Sequence, residues 1–508
     1  MDRLLTTARV EPRQLGLVFL ACLAVSMLVY WQSFGHPWSF DDTPVILQNP
    51  DILSLANFFD NVRDGRPVRE LSLLLDHSLW GLEPRWWHLQ QLFWHALNGA
   101  LLWSLAGMLG FNRIGAWLAA LVFLLHPVQV EVVANLSNRK DSLALCFCLL
   151  AAMAYLRFCQ TRAAGGWRWL PVALILVLVG CGAKQTAAGV ILVFLVVEFL
   201  WLQPERRVLL RYPRILAAVI FVGGIAGLIW YAWGGGRALF LQAARRWFFV
   251  YQHFDPATEF DQLLMILKSS CFLLLKVLWP FQLAAEYIYA PPASIADPWV
   301  IGGVGVWCLF LVLLVVAGRK RSLLLVPLVW LLAFWLPVSN LWPLSYFAAD
   351  RYLYMPMVGP ALLCGWGGML LWGRGCRRPV LLVAVVLLTG LGLLSFRQNQ
   401  TWSSPEALWG QAIKVSPESS GTWNNLGLIY LRRGDIDQSI PYFKNSIKFN
   451  PYKATAYYNL GSAHEQLQQL NLALQQYQLF LSINAPGLKQ ERELLRQRLL
   501  QQYGVQLR

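Results

Sequence analysis

Apolar residues come in long unbroken runs as far as Phe396 and at helical spacing beyond it. The runs are roughly 17 to 25 residues long, enough for a helix to cross a hydrocarbon core about 30 Å thick. They predict eleven spans, near 15–31, 89–109, 113–126, 141–158, 169–183, 185–202, 213–233, 299–317, 322–338, 352–373 and 379–396. A further run, Leu263–Phe281, does not fit the count. A crossing there would place Arg319, Lys320 and Arg321 on the wrong side of the membrane relative to the other basic clusters. It reads instead as re-entrant, or as one arm of a hairpin with Leu239–Tyr251. From Arg397 the chain is polar and Gln-rich, so residues 1–396 are expected to form a membrane domain and 397–508 a soluble one.

The soluble part repeats with a period of 34 residues. Trp423, Leu426 and Gly427 recur as Tyr457, Leu460 and Gly461, while Trp409, Ile413 and Pro417 recur as Phe443, Ile447 and Pro451. This is the tetratricopeptide (TPR) pattern of paired helices. Glycine permits close helix approach, aromatics fill the groove between repeats, and proline ends each second helix. Tyr477 and Leu481 continue the series, which gives two full helix pairs and the second helix of an earlier one. The fold class is therefore all-α, a polytopic helix bundle followed by a short TPR solenoid. So short an array needs docking to the membrane domain or to a partner for stability.

Composition supports the membrane reading, since 57% hydrophobic and 14% charged residues leave too much apolar surface for an ordinary soluble enzyme. The first run, Leu15–Trp31, follows Arg3, Arg9 and Arg13, and no small-x-small cleavage site comes after it, so it reads as an uncleaved anchor. The nine cysteines form no disulfide framework, with none between Gln32 and Trp87 and none after Cys376. Basic residues flank the spans at Arg157, Arg162 and Arg168, at Arg206, Arg207, Arg211 and Arg214, at Arg319–Arg321, and at Arg374, Arg377 and Arg378. Such clusters mark the cytoplasmic side, which accounts for much of the +15 net charge without invoking nucleic acid. Loops 32–88, 127–140, 234–298 and 339–351 then share the outer face with the TPR domain.

Candidate chemistry gathers in those outer loops. Asp41 and Asp42 lie about ten residues after the first span, although such a pair in a loop more often makes a turn or a helix cap. His126-Pro127 with Glu131, and Asn138-Arg139-Lys140-Asp141, fall between two spans, where charges either snorkel or line a polar cavity. His88 and His95 share a helix face without a zinc-like spacing, which favours hydrogen-bonded packing over ligation. Lys184, Lys268, Lys276 and Arg351 are cations near apolar surface. They either snorkel or meet an anion, for which lipid phosphate is the obvious candidate at this depth.

The order of these segments resembles a known family. Asp41-Asp42 with Asn49-Pro50, Arg66-Pro67, His88-Leu89 with His95, His126-Pro127 with Glu131, and Arg139-Lys140-Asp141 follow the pattern of the membrane-plus-TPR protein O-mannosyltransferases and their bacterial relatives. Lys184, Trp279-Pro280 to Tyr287, and Asp350-Arg351-Tyr352-Leu353-Tyr354-Met355-Pro356 continue the likeness, which spans residues 35 to 480. The chain departs from that pattern at Gln185, where relatives often have Glu, and in its short repeat array. The resemblance implies a GT-C glycosyltransferase with a sugar on a polyprenyl phosphate as donor and a hydroxyl, Ser or Thr of a protein, as acceptor. It makes Asp41 the base, and Asp42 its support or the group that positions the acceptor. It offers Arg351, Lys184 and Arg139 to the donor phosphate, and Arg66, His88, His126, Glu131 and Tyr352 to the donor or acceptor pocket. No metal is required, although a divalent ion on the acid pair is compatible. The TPRs would receive the acceptor protein.

That chemistry suits these residue types. Transfer to a hydroxyl needs a base as the bond to the anomeric carbon forms, and a carboxylate can serve. A phosphate leaves without an obligatory acid but needs fixed positive charge. The rival reading is a scaffold or lipid-linked-sugar transporter whose TPRs recruit partners. It does not account for acids and bases gathering in this order. The compact loops favour a bacterial inner membrane over the endoplasmic reticulum.

Overall fold

A computed structural model describes residues 12–61, 65–201, 259–288, 294–341, 344, 348–483 and 488–505, and these are helical, with turns and loops between the helices. The chain divides into two compact units. One comprises Met1–Trp247, His253–Leu283 and Pro291–Ser403; the other comprises Phe248–Gln252, Ala284–Ala290 and Ser404–Arg508. The composition change at 397 falls inside a helix, Arg377–Gln400, whose last turn is polar but still helical.

The first unit is a multi-pass membrane bundle. Five of its helices are long and apolar enough to cross a membrane: Arg13–Gly35, Leu136–Thr161, Gly166–Ala183, Pro298–Arg319 and Arg377–Gln400. A bent pair, Arg113–Leu125 with Pro127–Ala134, adds a sixth. Shorter apolar helices run Gln185–Leu200, Leu325–Val338 and Val358–Gly373. Leu263–Phe281 lies mainly on one continuous helix, Glu259–Leu278. The expected span 213–233 and the hairpin arm Leu239–Tyr251 lie outside the described residues.

Numbering the described helices in chain order, those that build the site are α3 (Pro67–Trp80), α4 (Pro84–Met108), α5 (Arg113–Leu125), α6 (Val130–Ala134), α7 (Arg139–Thr161) and α8 (Trp169–Ala183). They are joined by α10 (Glu259–Leu278), α11 (Pro298–Arg319), α12 (Leu325–Trp335), α13 (Val358–Gly373) and α14 (Arg377–Gln400). Prolines set two of the boundaries. Pro127 holds His126 in an extended conformation and ends α5, so the chain bends by 53° into the 127–134 piece. The expected span 352–373 becomes α-helical only at Val358. Pro356 disfavours helix in the residue before it, so Asp350–Leu353 forms a separate 3-10 turn with Asp350, Arg351 and Leu353 buried. α5 and α13 cross at Gly115 and Gly365, where a Cβ on either would lie 2.7 Å or 2.4 Å from the other's carbonyl oxygen. Only glycine allows backbones this close.

The second unit holds the TPR repeats: α15 (Pro405–Val415), α16 (Ser420–Arg433), α17 (Ile436–Phe449), α18 (Ala454–Gln466) and α19 (Leu470–Ser482). Gly427 and Gly461 recur because an aromatic lies on each. A Cβ on Gly427 would be 2.8 Å from the Phe443 ring, and one on Gly461 would be 2.6 Å from Tyr477. Pro417 and Pro451 stand two residues beyond α15 and α17. A further helix, α20 (Lys489–Tyr503), covers the last pair by burying Leu495 and Leu499 against Ala473, Tyr477 and Phe480. The segment Ala284–Ala290 belongs to this unit, with Thr422 Oγ1 donating to Glu286 at 3.4 Å and Ile288 N–H donating to Ser416 Oγ at 3.4 Å.

Candidate active site

The first outer loop separates the two adjacent aspartates. Asp42 is fully buried, and its carboxylate accepts from Ser39 N–H at 3.0 Å and Ser137 N–H at 2.8 Å. These bonds tie the loop to the turn before α7, which the Asn135 side chain shapes by accepting from Ser137 N–H at 3.2 Å and Oγ–H at 2.6 Å. Asp41 is only half-buried. Before it, Phe40 has a φ of 52°, in the left-handed region, which costs a non-glycine residue about 1 kcal/mol or more. Its ring makes an edge contact with Trp402 at 6.5 Å and lies 5.8 Å from the Arg351 guanidinium.

Arg351 joins this loop to the break between α5 and α6. Its guanidinium pairs with Glu131, its own backbone N–H donates to Glu131 Oε2 at 2.8 Å, and Tyr352 offers a second ring at 5.6 Å. Glu131 is also within electrostatic reach of Asp41. Asp41, Phe40, Glu131, Arg351 and Tyr352 therefore form one cluster from three distant parts of the sequence. The acid partner that would make Arg351 structural is thus Glu131.

The remaining candidates are placed around it. Lys184 pairs with Asp141 at 2.5 Å. Arg139 is completely buried among α3, α4 and α7, bonded to Asp76 at 2.8 Å, Gln91 at 2.7 Å, Ser72 at 3.2 Å and the Trp87 carbonyl at 3.3 Å. Its charge is committed to holding those helices together. Arg66, half-buried, precedes α3. His126 donates from Nε2 to the Val277 carbonyl at 2.9 Å and accepts Val128 N–H at Nδ1. His95 bonds Tyr354 Oη at 3.1 Å and the Leu124 carbonyl at 3.2 Å, a packing role. His88 meets the ring of His36 edge-on at 5.9 Å. Among the described residues no group of three or more His, Cys, Asp or Glu side chains is placed to hold a metal ion.

A family model described as dolichyl-phosphate-mannose-protein mannosyltransferase matches residues 78–233, and tetratricopeptide models match 427–468 and 454–486. Human protein O-mannosyl-transferase TMTC3 is 24% identical over 519 residues, covering 89% of this chain and 54% of the relative. The chain is thus similar to TPR-bearing, O-mannosyltransferase-like membrane proteins. Drosophila melanogaster Tmtc3 is 24% identical over 91% of the chain and 58% of its own length, and human TMTC1 is 24% identical over 86% and 55%. The chain spans about half the length of the curated relatives it matches. No solved structure matches it.

The sequence pattern passed over three residues that the structure brings to the site. Lys140 is half-buried, makes no ion pair among the described residues, and lies within electrostatic reach of the acid Asp141 as well as of Arg66, Arg69 and Arg351. Its signal was the Arg139-Lys140-Asp141 run at a helix start. Successive helical residues point about 100° apart, so the three serve different neighbours. His36 and Trp402 are buried beside His88 and Phe40 respectively, and burial holds His36 down at about 4, hence neutral.

Burial raises Asp42 to about 7, opposed by the Ser39 and Ser137 N–H donors and reinforced by the charge of Asp41. The folded protein therefore binds this proton more tightly than the unfolded chain does. The stabilisation is fully present below about pH 4 and is lost as the pH rises through about 7. The melting temperature of the detergent-solubilised protein should fall more steeply between about pH 5 and pH 8 than that of Asp42→Asn, which has nothing to titrate there. Parallel slopes in the two proteins would remove Asp42 as the source.

Proposed function

We propose that this chain transfers a sugar from a polyprenyl-phosphate donor to a hydroxyl of a protein acceptor. The observation that carries the reading is the cluster itself, a half-buried carboxylate at Asp41 within electrostatic reach of Glu131, which in turn holds the Arg351 guanidinium. Asp41 takes the acceptor proton as the acceptor oxygen bonds to the anomeric carbon and the bond from that carbon to phosphate oxygen breaks. The lipid phosphate leaves with the electron pair, and Arg351 and Lys140 stabilise its charge. Asp42, held by two backbone N–H groups, fixes the loop that carries Asp41. Lys184 sets the position of Asp141 beside Lys140, and Arg139 holds α3, α4 and α7 in register. Arg66, His88, His126 and Tyr352 line the surroundings in which donor and acceptor meet. No step requires a metal.

The names of the relatives make mannose the first sugar to test. Purified full-length protein, given mannosyl-phosphoryl-polyprenol and Ser/Thr peptides, is expected to release polyprenyl phosphate and glycosylate the peptide. Intact donor after long incubation, across several sugars, would sink the reading. The TPR unit is the proposed receiver of the acceptor protein, as stacked helical repeats present extended concave surfaces.

The reaction is placed on the extracytoplasmic face, in a bacterial inner membrane in preference to the endoplasmic reticulum. The basic clusters support a cytoplasmic N-terminus with the TPR unit on the other side. In a bacterial host, alkaline phosphatase fused after Arg397 should be active and green fluorescent protein at the same site dark. The opposite pattern would reverse the topology.

A further inference from the structure

The loop that carries the two aspartates turns on a phenylalanine. Asp42 N–H donates to the Ser39 carbonyl at 3.0 Å and Ser39 N–H donates to the Asp42 carboxylate at 3.0 Å, so residues 39–42 close on themselves with Phe40 second and Asp41 third. Phe40 holds its place at a φ of 52°. A positive φ at the second position of a turn suits glycine, asparagine or aspartate, and a larger side chain is strained there. Glycine would build the same turn with less strain, so the turn itself has no use for the ring. Its use lies in what it touches.

The ring sits between two partners from distant parts of the sequence. Trp402, two residues beyond α14 and 1% exposed, meets it edge-on at 6.5 Å. The Arg351 guanidinium stands over it, 5.8 Å from the ring centre, within the range at which a ring face attracts a cation. Phe40 is only half-buried, so burial alone is a weak reason to keep it. Arg351 also has Glu131 on α6 and Tyr352 beside it in the chain, and neither belongs to the loop that carries Asp41. Phe40 does belong to it. It precedes Asp41 directly, and its ring brings that loop against the guanidinium.

We propose that Phe40 is a positioning residue for the transfer reaction, its backbone aiming Asp41 and its ring, backed by Trp402, holding the Arg351 guanidinium in place relative to that carboxylate. The inference rests on the transfer reading above and adds what keeps base and cation in register. In the transition state the acceptor proton moves to Asp41 while charge develops on the departing phosphate oxygen at Arg351. Both groups must then be in place at once, and a misplacement of about 1 Å can lower such a rate about a hundredfold. Binding of the donor makes no demand on Asp41, so it should depend much less on the ring.

The test uses full-length protein and separates the ring from the fold. Phe40→Leu keeps the apolar bulk and the strained backbone and removes the ring face. It should lower kcat by about tenfold or more, with the donor Michaelis constant and the melting temperature close to those of the parent. Phe40→Gly should stay folded, because glycine suits the turn, and should lose activity to a similar degree. Phe40→Tyr keeps the ring and should stay within about threefold of the parental kcat. Phenylalanine analogues carrying one, two and three ring fluorines at position 40 keep the shape and drain the ring face, so kcat should fall stepwise along the series. A last readout does not depend on transfer. With 4-fluorophenylalanine at position 40, the fluorine NMR resonance of the donor-free protein should shift on Arg351→Lys. Parental kcat in folded Phe40→Leu or Phe40→Gly protein, a kcat indifferent to fluorination, or a resonance blind to Arg351 would overturn the proposal while leaving the transfer reading intact. A parent protein that transfers no sugar would sink the functional reading, whereas a resonance that moves with Arg351 would still uphold the ring's hold on the guanidinium.

Discussion

Asp41→Asn is expected to reduce sugar transfer by about 10²–10⁴-fold while donor binding stays close to that of the parent. The substitution preserves shape and removes the ability to take a proton, so the loss should appear in kcat rather than in the donor Michaelis constant. The position supports a functional role over a structural one. Asp41 is half-buried, while its neighbour Asp42 is the carboxylate that accepts the Ser39 and Ser137 N–H bonds. Asp42→Asn should act differently, since an amide can accept at only one of those two donors. The loop should loosen, and activity should fall together with thermal stability. Parental turnover in a folded Asp41→Asn protein would remove Asp41 from the mechanism, and Glu131 would become the next carboxylate to test.

Arg351→Ala is expected to lower kcat/KM for the lipid donor by about 10²–10³-fold, the scale seen when a fixed donor to a developing anion is lost. A second consequence must be separated from the first. Arg351 neutralises Glu131, and both are buried, so removing the guanidinium alone leaves an unpaired acid at a cost of about 3–5 kcal/mol. Arg351→Ala combined with Glu131→Gln removes both charges and should recover stability without recovering turnover. Arg351→Lys keeps the charge but not the planar fork between the rings of Phe40 and Tyr352, so it should restore folding more than activity. Full activity in the stable double variant would show that Arg351 serves only Glu131. Lys140 would then be the first cation to test at the phosphate.

Much of the architecture is written locally and can be read from the sequence. An apolar run long enough to cross a membrane needs no knowledge of its neighbours, because lipid imposes the same requirement on every span. The TPR repeats were equally legible, since each glycine and its aromatic partner lie within one helix pair and recur with the period, as Gly427 with Phe443 and Gly461 with Tyr477 do. Prolines at 127, 417 and 451 marked breaks or ends by a steric rule that acts on adjacent residues. What stayed hidden there was α20, whose buried Leu495 and Leu499 fall outside the 34-residue pattern.

The sequence also nominated the charged residues of the site, by type and by order, but could not assign their roles. Asp41 and Asp42 differ because Ser137, 95 positions away, donates to one of them. Arg351 is held by Glu131 across 220 positions. Arg139 and Lys140 are neighbours of like charge, yet Arg139 is enclosed by Asp76, Gln91, Ser72 and Trp87 while Lys140 is left half-buried between Asp141 and three arginines. Local pattern decides whether a residue is helical and which way it leans. Which charge it meets, and how much water it keeps, is decided only when distant helices pack, because electrostatic interaction depends on separation and burial in space and not on distance along the chain.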